Sequence, residues 1–184
     1  RFFLMKNFNE RETQLFRESN VKKFKITKAI DLINRVKNEP EQKIIWNGII
    51  EGSKGLIAGV SKTGKTTLAE NLAISIAVGR KDFFGYQLSG IPKKVLFINL
   101  EESFRLRSRR NFNQINILSD KEKEMFSENY ISTPEEFPEF LNSDNEWIIL
   151  KEYIIESEAD VIFIDSLSHM FKGQIESSEP AVQF

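Results

Sequence analysis

The 184-residue chain is long enough to bury the core of one domain. With 40% apolar and 29% charged residues it is not a disordered chain, and with no cysteine it has neither disulfides nor thiolate metal sites. A net charge of −1 excludes bulk attraction to nucleic acid and leaves room only for a local patch.

Residues 1–45 read as a lead-in or linker, with eleven basic against six acidic side chains. Within it Ile26, Ile30, Ile33 and Val36 recur at helical spacing, which predicts a short amphipathic helix from Thr27 to Lys37, stopped by Pro40. Its positive excess is read as a solvated face rather than a contact for an acidic partner. The first residues lack an apolar core and a small-residue cleavage site, so no secretory leader is expected. Because the chain starts at Arg1, we expect it to be a fragment of something longer.

Residues 46–184 have the texture of a packed α/β domain. Gly55 to Ala58 is a short apolar run predicted as a buried strand that enters a loop at Gly59. Thr66 to Val78 is predicted helical, with Leu68, Leu72, Ile76 and three alanines on a packed face and Gly79 as its stop. Lys94 to Leu100 is a second strand, followed by a loop and a basic helix that carries Arg105, Arg107, Arg109 and Arg110. The acidic stretch from Lys121 to Glu146 reads mostly as connection, with one short strand near Tyr130 and Ile131. Trp147, Leu150 and Ile154 mark one face of a helix, and Val161 to Asp165 is a third buried strand. Apolar strands alternating with helices predict a mostly parallel sheet covered on both faces. No apolar run approaches a membrane span, and the lack of cysteine suits a cytoplasmic location.

The chemistry concentrates in Gly59-Val60-Ser61-Lys62-Thr63-Gly64-Lys65-Thr66, which fits G-x-x-x-x-G-K-[ST] at every fixed position. Glycines allow the backbone to wrap an anion without a Cβ in the way, successive N–H groups point inward, and the following helix adds its positive end. Lys65 would reach the β- and γ-phosphates, the Thr66 hydroxyl would ligate Mg²⁺, and Thr67 is placed to meet the α-phosphate. Lys62 is expected to face solvent.

Two carboxylates complete the set. Asp165, 100 residues after Lys65, ends an apolar strand in the manner of a Walker B element and would hold Mg²⁺ through water. Glu101 follows the second strand at the edge where open α/β sheets bind ligands, so it is either the group that orients attacking water or a solvated loop acid. ATP and Mg²⁺ are therefore the expected ligands. A regulatory ATP switch with slow hydrolysis and a P-loop kinase or other phosphotransferase stand as alternatives to an ATPase. The lone histidine, His169, is read as a surface or packing residue. Trp46 and Trp147 are read as core or edge packing, and Phe83, Phe84 and Tyr86 as packing the loop after the first core helix. Glu176 and Glu179 are candidates for a subunit boundary.

Taken together, the run from Gly55 to Thr67, the pair Gly79-Arg80, Phe84-Gly85-Tyr86, the strand from Val95 to Glu102 and the run from Ile162 to Leu167 resemble the RepA-like branch of RecA-type AAA family ATPases, relatives of hexameric replicative helicases. The resemblance spans roughly residues 40 to 180. It implies a three-layer P-loop NTPase, makes Glu101 the catalytic glutamate, and implies a homo-oligomer, possible as a hexamer, acting on DNA in plasmid, phage or mobile-element replication. It also implies further core strands, an arginine finger and DNA loops beyond Phe184, so the core is expected to be C-terminally truncated.

Overall fold

The computed structural model describes residues 26–40 and 43–170. The expected lead-in before residue 26, and Glu176 and Glu179, lie outside the described residues. The chain divides into two units, Arg1–Glu41 and Gln42–Phe184. In the first, the predicted amphipathic helix forms as α1 over Ala29–Val36 and buries none of its residues. An i,i+4 ion pair from Arg35 to Glu39 spans its C-terminal end at 3.4 Å.

The second unit is organised by β5, Val95–Asn99, whose five residues are all buried. Such a run cannot face water on either side, so it takes the centre of a sheet. It pairs in parallel with β6, Tyr130–Ser132, and with β7, Val161–Asp165, giving the order β6-β5-β7. Successive side chains of β5 point to opposite faces. Val95 and Phe97 meet Leu72, Ala73, Ile76 and Ala77 of α2, Lys65–Ala77. Leu96 and Ile98 meet Leu141 and Leu150, the latter from α5, Asp144–Ser157. Helix, sheet and helix form the three layers of an α/β P-loop fold. α3, Phe104–Ile115, follows β5, and α4, Asp120–Asn129, precedes β6.

Two small hairpins frame this core. β1, Ile44–Trp46, and β2, Ile49–Ile50, are joined by Asn47-Gly48, both at positive φ as a tight hairpin turn demands. β3, Asp82–Phe83, pairs antiparallel with β4, Tyr86–Gln87. Trp46 packs edge-on against Phe83 and Tyr86, with ring centroids 5.9 and 6.2 Å away, and its indole N–H donates to the Phe83 carbonyl at 3.3 Å. Trp46 is thus a packing residue, as expected, whereas Trp147 stays 42% exposed at the end of the α5 face. Gly79 ends α2 at φ +71, and a Cβ there would come within 2.6 Å of the Pro92 ring.

Three expectations are corrected. The segment from Gly55 to Ala58 is not a strand, and Leu56 is 75% exposed. A strand needs a laddered neighbour, and among the described residues none pairs with this segment. β7 is only half-buried, with Ile162 39% exposed, because among the described residues it is an edge strand, paired with β5 on one side alone. The acidic stretch after Lys121 is not mostly connection, since it contains α4. Ser119 and Glu122 form a reciprocal capping box at its start, and Met125 and Phe126 pack against Ile74, Val78 and Leu118. Among the described residues no helix is long and apolar enough to cross a membrane.

Phe97 is fully buried and stacks between Tyr130 and Phe163, with centroids at 6.4 and 5.7 Å. Phe97→Ala should therefore cost about 3–5 kcal/mol in urea unfolding. Ile162→Ala, at a partly exposed site, should cost under about 1 kcal/mol. Equal losses would contradict the placement of β5 at the centre.

Candidate functional site

The glycine-rich loop connects the irregular segment before Gly59 to the start of α2. Gly64 occupies the N-cap at φ 84° and ψ 17°, a left-handed conformation natural to glycine, and no side chain caps the helix there. The first turn of α2 thus presents its N–H groups without a side-chain acceptor from the cap, as an anion site requires. Two hydrogen bonds hold the loop curled: Thr63 Oγ1 donates to the Val60 carbonyl at 2.8 Å, and Lys65 Nζ donates to the same oxygen at 2.9 Å. Residues 59–64 are exposed to solvent, Ser61 and Lys62 among them. Thr67 is exposed on the first turn, and a cleft of about 460 Å³ opens beside it and Gly64, walled by Leu68, Ile74, Phe83 and Phe84. Phe83 and Phe84 therefore line this cleft besides packing the loop after α2.

The second part comes from β7. The parallel register sets Asn99 level with Asp165, so both strands end on the same edge of the sheet. There the Thr66 hydroxyl donates to Asp165 Oδ2 at 2.5 Å, a contact between residues 99 apart in sequence. Magnesium prefers oxygen ligands and is usually held by one or two carboxylates plus substrate phosphates rather than by an all-protein cage. The Thr66–Asp165 pair fits that description. Among the described residues no three His, Cys, Asp or Glu side chains cluster as a cage.

The third part is the acidic pair after β5. Asn99 Oδ1 accepts from the backbone N–H of Glu101 at 3.0 Å and of Glu102 at 2.9 Å, fixing the turn that leaves the strand. The two carboxylates then diverge. Glu101 is exposed, and among the described residues its carboxylate takes no hydrogen bond or ion pair. Glu102 is gripped by Arg110 of α3, whose Nη1 and Nη2 donate to its two oxygens at 2.9 and 2.5 Å. Those hydrogen bonds, aided by the Arg110 charge, hold the Glu102 carboxyl below its ordinary value against the opposing push of partial burial.

Sequence reasoning missed the inward turn of the basic helix. Arg107 is buried and donates to the Thr133 hydroxyl at 3.0 Å and to the Thr133 carbonyl, while Arg110 also grips Glu70 of α2. The available signal was Glu70 itself, an acid that follows Ala69 on a helix whose packed face is mostly apolar. His169 is a packing residue in the turn Leu167–Met170, with its ring 4.8 Å from Phe140.

A carboxyl with a depressed native pKa contributes stability above its ordinary pKa and loses it as pH falls through the native value. The wild-type chain should therefore lose unfolding free energy more steeply than Glu102→Gln between about pH 6 and pH 3. Urea midpoints across that range check this, and parallel curves would contradict the Arg110–Glu102 pairing.

A search of curated proteins finds no match to this chain. The family model described as "AAA domain" matches residues 20–183, nearly the whole length. With its glycine-rich cradle, strand-end aspartate and α/β layers, the chain belongs to this family of AAA-type P-loop ATPases.

Proposed function

We propose that this chain binds ATP with Mg²⁺ and hydrolyses it, as the core of a RepA-like, RecA-type ATPase. The observation that carries the reading is the 2.5 Å contact between Thr66 and Asp165, which joins the phosphate loop to the strand-end carboxylate at one point. Gly59, Val60, Ser61, Lys62, Thr63 and Gly64 would cradle the phosphates through their backbone. Lys65, released from the Val60 carbonyl, would pair with the β- and γ-phosphates, and Thr67 would meet the α-phosphate. The cleft beside Thr67 offers room for the nucleoside. Thr66 and Asp165 would hold the metal, which when bound screens the charge that develops on the phosphates. Glu101, the free carboxylate of the acidic pair, would orient the attacking water and take up its proton.

The finer assignment follows the sequence resemblance. On it, residues 46–184 form the ATPase core and residues 1–45 a lead-in, and the protein acts in the cytoplasm as a homo-oligomer, a hexamer in the ring-forming case. DNA is its partner in replication or mobile-element maintenance, and hydrolysis drives helicase-like movement. The DNA contact must come from outside the inward-turned arginines, since Arg107 and Arg110 are committed within the fold.

ATP turnover by the full chain, with and without single-stranded DNA, tests both levels. Lys65→Ala should weaken ATP binding by about 10- to 100-fold, the worth of a charged hydrogen bond. Glu101→Gln should keep that affinity and lower turnover by about 10²- to 10⁴-fold. Undiminished turnover in Glu101→Gln would remove Glu101 from the role. Stimulation by DNA supports the motor, and turnover indifferent to DNA contradicts it.

A further inference from the structure

Glu70 is a charged side chain with no exposed surface, on α2 one turn beyond Thr66. A buried carboxylate survives only when paired and hydrogen-bonded. Its partner is Arg110, whose Nε and Nη2 donate to the two Glu70 oxygens, the latter at 2.7 Å. The same guanidinium grips both oxygens of Glu102. One planar fork therefore holds two carboxylates in fixed geometry, which a lysine's single ammonium cannot do. Arg107, buried in the same helix, lies close enough to feel the charges of both acids and balances the cluster to two positive and two negative groups.

The two carboxylates belong to different parts of the site. Glu70 rides on the helix whose first turn forms the phosphate cradle. Glu102 is the neighbour of Glu101. We propose that Arg110 is a positioning residue for hydrolysis: by clamping Glu70 to Glu102 it sets the spacing between the phosphate cradle and the Glu101 loop, and it keeps Glu102 from competing for the water. This rests on the ATPase reading above. The loop and Lys65 grip phosphate without the clamp, so binding does not depend on it. Turnover does, because a displacement of about 1 Å in a reacting group costs on the order of 10²-fold in rate.

The test compares three versions of the whole chain: the wild type, Arg110→Lys, and the double variant Glu70→Gln with Arg110→Met, which removes the Glu70–Arg110 pair together, so that the fully buried carboxylate is not left unpaired and only the partly exposed Glu102 loses its partner. Melting transitions establish folding, a fluorescent ATP analogue gives affinity, and steady-state hydrolysis gives kcat. We expect both variants to bind the analogue within about 2-fold of wild type and to lose about 10- to 100-fold in kcat, the lysine variant less than the double variant. If Arg110→Lys shows no melting transition, the double variant supplies the comparison. A folded variant with wild-type kcat overturns the proposal, as does a parallel loss of affinity and kcat. Absence of hydrolysis in the wild type defeats the ATPase reading itself and is visible before any variant is compared.

Discussion

The parallel ladder between β5 and β7 is the constraint on which the rest depends. Its register runs from Val95 opposite Val161 to Asn99 opposite Asp165, so both strands stop on one edge. From there Leu100 N–H still donates to the Asp165 carbonyl at 2.6 Å, and the chain turns under the grip of the Asn99 side chain. α2 packs across the face of this pair through Leu72, Ala73 and Ile76, which brings its N-terminus to the same edge. The glycine-rich loop, the Thr66–Asp165 pair and the acidic pair lie on one edge because two strands share a register and one helix packs across them.

What was legible in the sequence follows from how local each signal is. The glycine-lysine-threonine spacing, the apolar run of β5 and the aspartate after four apolar residues are each carried by a few contiguous positions, and they lie at the start of α2, at the centre of the sheet and at the end of β7. The segment before Gly59 was apolar enough to be a strand, but a strand is a property of two chains of backbone. Among the described residues this segment has no partner. Helix α4, missing from the sequence expectation, does have a local mark in Ser119 and Glu122, set in a stretch whose acidity suits exposed connection as well. Reciprocal caps and two apolar residues are enough to fix a short helix against a core.

The arginines of α3 show why side-chain roles are harder to read than elements. Four arginines in six residues look like a surface for an anion. The helix repeat instead sends Arg107 and Arg110 inward, where they meet Thr133, Glu70 and Glu102. Periodicity alone could locate the inward face but not the acids waiting on it, because those come from α2 and from the loop after β5. The divergence of Glu101 and Glu102 has the same origin. Adjacent and chemically equal in sequence, they differ in the fold because one falls within reach of a guanidinium and the other does not.

The proposed activity requires that Thr66 and Asp165 form one metal site with the nucleotide. Calorimetric titration of ATP with and without Mg²⁺, into the wild-type chain and into Asp165→Asn, tests that most directly. We predict that Mg²⁺ strengthens ATP binding to the wild type and that most of this gain disappears in Asp165→Asn. An equal Mg²⁺ dependence in the two proteins would contradict it.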